Sequence, residues 1–187
     1  MTDHQCGCRA PALVAVGLAA AVAAGAGAAA AQDLAPPAEV RAVIEGTWEL
    51  VEWHVGERVL RPPEMEGRWM VDDGLVMATR HRNGPDDFES TAGYGEYRWG
   101  PMTWTYGYER SEDLRGPSPD DARLTVTGSD PIRMSTFRIT REGDMLILDG
   151  EALRWEYDVP GRTFLLKTSG GRAIRKYRKV APTPAQP

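Results

Sequence analysis

Two segments of this chain alternate apolar and polar side chains with the period of two that is typical of a β-strand. They are Met102–Arg110 and Leu153–Val159. Their apolar faces consist of Met102, Trp104, Tyr106 and Tyr108 in the first segment, and of Leu153, Trp155, Tyr157 and Val159 in the second. The pattern predicts strands that present aromatic faces to a common interior. It is compatible both with ordinary core packing and with the lining of a lumen.

Short β-rich runs make up most of the remaining chain, and turn residues separate them. The runs are Thr47–Val55, Arg68–Val71, Leu75–His81, Tyr94–Trp99, Met102–Arg110, Arg123–Thr127, Ser135–Arg141, Met145–Leu148, Leu153–Val159, Thr163–Lys167 and Ala173–Lys179. Helical periodicity is nearly absent, apart from a single helical turn at Glu39–Glu45 and a short helix or ordered loop at Pro85–Thr91. We therefore predict an all-β fold, a single antiparallel up-and-down β-barrel with a short N-terminal helical turn, because closing such a meander removes its exposed edges.

The first 31 residues have the pattern of a signal peptide. No charged residue occurs between Pro11 and Ala31, and small residues at Ala29 and Ala31 fit a peptidase site. We expect cleavage near Ala31 and a periplasmic or secreted protein. The alternative is an uncleaved membrane anchor, since the run is long enough to span a bilayer, although it is mostly Ala and Gly. Residues 32–45 would then form a linker and the helical turn, 46–180 the barrel, and 181–187 a disordered tail.

The cysteine content, the net charge and the histidines limit the kinds of partner and cofactor that this chain can bind. Both cysteines, Cys6 and Cys8, lie in the predicted leader, so the exported domain would be held together by its core alone. The net charge of −5 argues against nucleic acid and anionic membrane surfaces as partners. Five basic residues near the end are predicted to form the solvated side of a final strand; they are Arg172, Arg175, Lys176, Arg178 and Lys179. His54 and His81 have no recognised ligand spacing, so we expect no metal and no cofactor.

The first strand allows two arrangements. If it alternates regularly from an inward Trp48, then Glu52 and His54 face the interior, where a carboxylate and an imidazole are costly unless they are paired or meet a polar ligand. If a bulge follows Leu50, Trp53 faces the interior and both polar residues face water. The bulge is favoured because burying an indole returns more free energy than burying a carboxylate.

Four short blocks of the sequence form a recognisable series. The first block, with Gly46 and Trp48 as its signature, is Gly46-Thr47-Trp48-Glu49-Leu50-Val51; the others are residues 67–78, residues 95–97 with 103–106 and Ser111, and residues 137–138 with 143–148. Together they resemble the bacterial lipocalin-like domain family of the calycin group. The resemblance covers roughly residues 46–180 and implies a barrel with a binding role. It also implies that a basic residue of the last strand, Arg175 or Arg178, stacks on Trp48. Family members tend to carry a histidine where this chain has Tyr106. Eleven runs exceed the eight strands usual for a lipocalin, so some must be halves of one strand or lie outside the barrel.

Three classes of function are compatible with such a barrel, and we favour the first. A carrier would hold a small hydrophobic or amphipathic molecule with Trp104, Tyr106, Tyr108, Trp155 and Tyr157. A barrel enzyme, an isomerase, cyclase or dehydratase, would use Glu52 or His54 as a base and Tyr106 as a proton donor on an apolar substrate. A protein-interaction barrel, for example a hydrolase inhibitor, would present an exposed loop, and Phe88 in the Gly84–Gly93 loop is the candidate lid or interaction element.

Overall fold

The computed structural model describes residues 38–84 and 87–181. This part of the chain forms one short helix, α1 (Ala38–Ile44), and twelve β-strands. The strands are β1 (Gly46–Val55), β2 (Arg58–Leu60), β3 (Met65–Asp72), β4 (Leu75–Gly84), β5 (Asp87–Gly100), β6 (Thr103–Gly116), β7 (Arg123–Gly128), β8 (Ser135–Glu142), β9 (Met145–Asp149), β10 (Leu153–Asp158), β11 (Thr163–Thr168) and β12 (Ala173–Lys179). The predicted signal peptide and residues 182–187 of the predicted tail lie outside the described residues.

Ten of the strands form a closed antiparallel barrel in the order β1-β3-β4-β5-β6-β8-β9-β10-β11-β12, and β12 pairs with β1 to complete it. The other two lie outside this circuit. Strand β2 pairs with the C-terminal end of β1, and β7 pairs with the C-terminal half of β6. The predicted all-β, up-and-down barrel with one short N-terminal helix is therefore confirmed. Its ten strands differ from the eight that are usual for a lipocalin.

Strands β4 and β5 extend further than the sequence pattern indicates. The prediction of a short helix or ordered loop over Pro85–Thr91 is wrong for residues 87–91, which belong to β5 and pair with β4 as far as Gly84↔Asp87. Phe88 is accordingly buried beside His81, with ring centroids 5.3 Å apart, and is not an exposed lid. Residues 87–91 are held in the strand by side chains of the two neighbouring strands, since the buried Glu89 pairs with Arg82 of β4 and Arg115 of β6.

Strand β1 contains the bulge that the second arrangement predicts. Leu50 pairs with Tyr177 and Glu52 with Lys176, so Val51 is the additional residue. Trp48, Leu50 and Trp53 all face the core as a result. Glu52 and His54 lie on the outer face, where their side chains are 24% and 22% exposed. The bulge thus buries two indoles while the carboxylate remains in contact with water.

Helix α1 lies across the end of the barrel at which β1 begins and β12 ends. Its Val40 and Ile44 belong to the hydrophobic core, and the indole Nε1 of Trp48 donates to the Ile44 carbonyl at 3.0 Å. The Lys179 Nζ donates to the carbonyls of residues 42 and 43 near the end of the helix. Gly46, which lies between the helix and the strand, has a φ of +122°, a backbone conformation that residues other than glycine rarely adopt. The helix therefore closes one end of the barrel. At the opposite end, charged side chains lie near the ends of the strands.

Candidate functional site

An aromatic cluster fills the middle of the barrel. Trp104 stacks on Tyr106 with centroids 4.7 Å apart, and Tyr106 stacks in turn on Phe137 at 5.6 Å. Trp155 contacts Trp69 at 5.3 Å and Trp104 at 5.9 Å. These rings come from strands on opposite sides of the barrel, so the aromatic faces predicted from the alternation do share one interior.

The five predicted ligand-binding residues fall into two groups. Trp104, Trp155 and Tyr157 are buried completely or almost completely. Tyr157 lies near the helix-closed end, where it contacts Trp48 at 5.4 Å. By contrast, Tyr106 and Tyr108 keep part of their surface accessible although they pack against the core. Side chains that point into a barrel and remain partly accessible border space that other side chains do not fill.

Burial raises the pKa of Tyr106 to about 12. Burial also raises the pKa of Tyr108 well above that of a free tyrosine, and the neighbouring Tyr106 adds to the effect. Both phenols are therefore neutral at physiological pH and can donate a hydrogen bond.

Charged residues surround the end of the barrel opposite α1, and Glu89 of β5 lies at their centre. Its side chain is only 6% exposed. One carboxylate oxygen accepts from Nε and Nη2 of Arg82 at 3.2 and 3.0 Å, and the other accepts from Arg115 at 3.1 Å and lies 3.6 Å from Nε of Arg80. Arg82 also pairs with Asp87. Three arginines thus converge on a buried carboxylate.

Asp113 of β6 extends this network. Its carboxylate accepts from the Thr91 hydroxyl at 2.8 Å and lies 3.4 Å from Arg115 and 3.9 Å from Arg80. Thr91 is buried. The hydroxyl and the two guanidinium groups together satisfy this second carboxylate, which faces the interior beside the first.

Arg175 of β12 completes the arginine cluster, by which we mean Arg80, Arg82, Arg115 and Arg175 with Asp87, Glu89 and Asp113. Its guanidinium carbon lies 5.0 Å from the centroid of the Trp53 ring, and that of Arg82 lies 4.9 Å from the same centroid. Burial lowers the pKa of Arg175, and the positive charge of Arg80 contributes. Among the described residues, no carboxylate lies within 4.0 Å of Arg175, and its buried Nε has no hydrogen-bond partner.

The predicted stacking of Arg175 or Arg178 on Trp48 is wrong. The register pairs Trp48 with Lys179 and Trp53 with Arg175, so Lys179 lies 5.2 Å from the Trp48 ring while Arg175 stacks on Trp53. Arg178 points outward and pairs with Glu49 at 2.8 Å. The prediction of a solvated basic face holds for Arg178, which is exposed, but not for Arg175, which points inward and is only partly exposed.

The charged residues of the arginine cluster were not predicted as an interior site. A signal was present in β4, where Arg80 and Arg82 continue the alternation of the buried Val76 and Ala78. Arg175 likewise shares the face of the buried Tyr177. Continuing the alternation of an apolar face through arginines would have found these three residues.

The arrangement required by the enzyme hypothesis does not form. Glu52 pairs with Arg61 at 2.8 Å and lies 3.5 Å from His54, all on the outer face of β1. Tyr106 lies inside the barrel, so the sheet separates the two candidate bases from the candidate donor. Burial works against ionisation of Glu52, but the hydrogen bond and charge of Arg61 outweigh it and lower the pKa of the carboxyl.

Within residues 38–84 and 87–181, no group of three or more His, Cys, Asp or Glu side chains is placed to hold a metal ion. In the same part of the chain no helix is long and apolar enough to cross a membrane.

Comparisons of the chain with protein-family models, with curated proteins and with solved structures found no match in any of the three. The strand pairing and the core by themselves establish the fold of this chain: a closed ten-stranded antiparallel β-barrel, capped by a short helix, with a large buried aromatic cluster.

Proposed function

We propose that this chain is an exported, lipocalin-like carrier that binds a small amphipathic molecule in the half of the barrel away from α1. The observation that carries the proposal is the partial accessibility of Tyr106 and Tyr108 inside an otherwise packed aromatic cluster. Ligand sites are concave, mostly apolar and furnished with a few convergent polar groups. Export is supported by the sequence, because an apolar segment with the pattern of a signal peptide precedes the barrel domain.

The chemistry of this half of the barrel favours an amphipathic over a purely apolar ligand. Tyr106, Tyr108 and Trp69 provide aromatic surface, with Trp69 5.6 Å from Tyr106 and 6.4 Å from Tyr108. The arginine cluster lies beyond them toward the strand ends. A ligand with an apolar body and a polar group would contact both kinds of surface without leaving buried charges facing hydrocarbon.

Native mass spectrometry of the full chain purified from cells, followed by organic extraction, tests this proposal. We expect a bound small molecule that is lost in Tyr106→Ala, because that change removes aromatic surface from the site. Tyr94→Ala is the matched control, since Tyr94 lies on the outer face of the neighbouring strand and is 44% exposed. A mass corresponding to protein alone, together with unchanged tryptophan emission on titration with dodecanoate and retinol, would refute the carrier role.

A protein-binding role is the second candidate, and β7 favours it. All six residues of this strand are exposed, including Leu124 at 59% and Val126 at 48%. Apolar side chains on a strand outside the barrel are suited to pairing with another chain. We would test it by cross-linking in cells: a cross-linked protein partner should disappear in Val126→Asp but not in Met102→Asp, at another exposed apolar residue.

A further inference from the structure

The arginine cluster carries one positive charge more than it can neutralise. Within the described residues it contains four guanidinium groups and three carboxylates. Arg80, Arg82 and Arg115 each lie within 4.0 Å of at least one of those carboxylates. The surplus charge therefore belongs to Arg175.

The side chains of Arg175 and Arg80 point into the same interior as the aromatic site. Arg175 projects from β12 on the face of the buried Tyr177, and Arg80 projects from β4 on the face of the buried Ala78. The charge of each arginine works against burial, the main cause of the raised pKa of Tyr106, Tyr108 and Tyr177. Arg80 also acts on Arg175 itself.

A largely buried guanidinium with no carboxylate in contact is costly for a protein to keep. Burial lowers the pKa of the Arg175 guanidinium, and the hydroxyl of Tyr177 and the charge of Glu89, which favour its charged form, do not outweigh that effect. Such a charge is tolerated where a ligand supplies the opposite charge. The Trp53 ring offsets part of the cost through a cation–π contact. It offers no hydrogen-bond acceptor to Nε of Arg175, which remains without a partner among the described residues.

We infer that Arg175, assisted by Arg80, binds the carboxylate of an amphipathic ligand whose apolar part lies against Tyr106 and Tyr108. This inference rests on the proposed carrier function and specifies its ligand class as a long-chain or aromatic carboxylic acid. A planar guanidinium fork matches a carboxylate in a two-bond geometry. A single surplus positive charge matches a singly charged carboxylate and not a phosphate monoester, which carries nearly two negative charges.

The test compares two fluorescent probes of one shape on the full chain: 11-(dansylamino)undecanoic acid and its methyl ester. We expect the acid to bind at least about tenfold more tightly than the ester, because a charge-assisted pair in a buried site contributes on this scale. In Arg175→Met, which keeps most of the unbranched stem and removes the guanidinium, the two affinities should agree within about twofold. Lys176→Met is the matched control, since it removes one positive charge from the outer face of the same strand and should retain the selectivity.

Each result decides between the two proposals. If both probes bind equally to the wild-type protein, the carrier role stands and the role of Arg175 is overturned. If neither probe binds while native mass spectrometry shows a bound small molecule, the carrier role stands and the carboxylic-acid inference is overturned; if no bound molecule is found either, both proposals fail. The wild-type comparison needs no variant, so it remains decisive even if Arg175→Met does not fold.

A second readout separates binding from a structural role. Because Arg175 is a largely buried cation with no carboxylate within 4.0 Å among the described residues, its replacement by Met should leave the melting temperature of the ligand-free protein unchanged or raise it. A drop of several degrees, with the probe selectivity intact, would show that Arg175 stabilises the fold and does not bind ligand. Circular dichroism on the ligand-stripped protein measures this.

Discussion

Glu45 shows how one side chain joins the helix to the barrel. It follows the last residue of α1, and a single carboxylate oxygen accepts from the Tyr97 hydroxyl at 2.8 Å, the Trp99 Nε1 at 3.2 Å and the Arg41 guanidinium at 2.9 Å. Burial opposes its ionisation, but hydrogen bonds from Tyr97, Arg41 and Trp99 outweigh that effect and lower the pKa of the carboxyl. The ionised form of Glu45 is therefore part of the folded state.

We predict that Glu45→Gln lowers the free energy of unfolding at pH 7 by about 1–2 kcal/mol, because hydrogen bonds to a charged acceptor are lost. Since the folded pKa lies below the ordinary 4.5, the stabilisation is present above about pH 4.5 and disappears as the pH falls through the folded value. Urea unfolding at pH 7 and pH 3.5 should thus show a smaller pH dependence in the variant.

Glu39→Gln, at an exposed position of the same helix, serves as the control and should change stability by less than about 0.5 kcal/mol. An equal loss in both variants at pH 7 would mean that the carboxylate charge, and not the position of Glu45 at the helix-closed end of the barrel, is responsible.

At the scale of elements, the pairing of β5 and β6 depends on a glycine. The register shifts between Tyr94 and Gly95, and there the two backbones approach closely. A Cβ built on Gly95 would collide with the carbonyl oxygen of Gly107 and lie 2.7 Å from the Cα of Tyr108. These are backbone atoms, so no side-chain rotation relieves the collision.

Gly95→Ala should therefore cost about 2–3 kcal/mol of unfolding free energy, because the backbones of β5 and β6 must move apart and displace Tyr108. Gly170→Ala is the control: its Cβ would meet nothing closer than the Thr168 Oγ1 at 3.8 Å, and we expect a change within about 0.5 kcal/mol. Thermal unfolding followed by circular dichroism compares the two. Equal melting temperatures would contradict the close approach of β5 and β6.

At the scale of the whole molecule, the barrel is completed by its first and last strands. Strand β1 pairs with β12 from Trp48↔Lys179 to Trp53↔Arg175, and β2 and β7 stay outside that circuit. A closed barrel opens only when the pairing of a whole strand is lost, whereas a strand outside it can separate locally.

We predict that backbone amides of β7 exchange with deuterium much faster than those of β11, by at least about a hundredfold, because β7 buries no side chain. Hydrogen exchange followed by mass spectrometry measures this, and β12 provides an internal control that should match β11. Protection of β7 equal to that of β11 would place β7 in the same cooperative unit as the barrel.

The sequence was sufficient for the class of fold because alternation and turn residues act locally. All eleven predicted runs correspond to strands, and the helical turn was predicted within one residue of α1 (Ala38–Ile44). The bulge after Leu50 was predictable too, since the choice between burying Trp53 and burying Glu52 depends on the side chains themselves. The short β2 was missed because three residues carry too little alternation to be recognised.

The candidate site was predicted only in part. The sequence indicated that Trp104, Tyr106, Tyr108 and Trp155 share an interior, and they do. It did not indicate which of them remain accessible, because that depends on rings contributed by other strands. It also did not indicate the arginine cluster, since an arginine on a strand is ordinarily assigned to solvent.

By itself, then, the sequence of this protein determined the positions of eleven strands, though not their full lengths, and the faces that its aromatic residues occupy. The tertiary structure alone decided that ten strands close the barrel, that Lys179 and not Arg175 lies over Trp48, and that Arg175 lies over Trp53. The physical reason is the range of the interactions. Alternation is a property of neighbouring residues, whereas closure of the barrel joins residues more than a hundred positions apart, such as Trp53 and Arg175, and the buried charge pairs join residues of different strands.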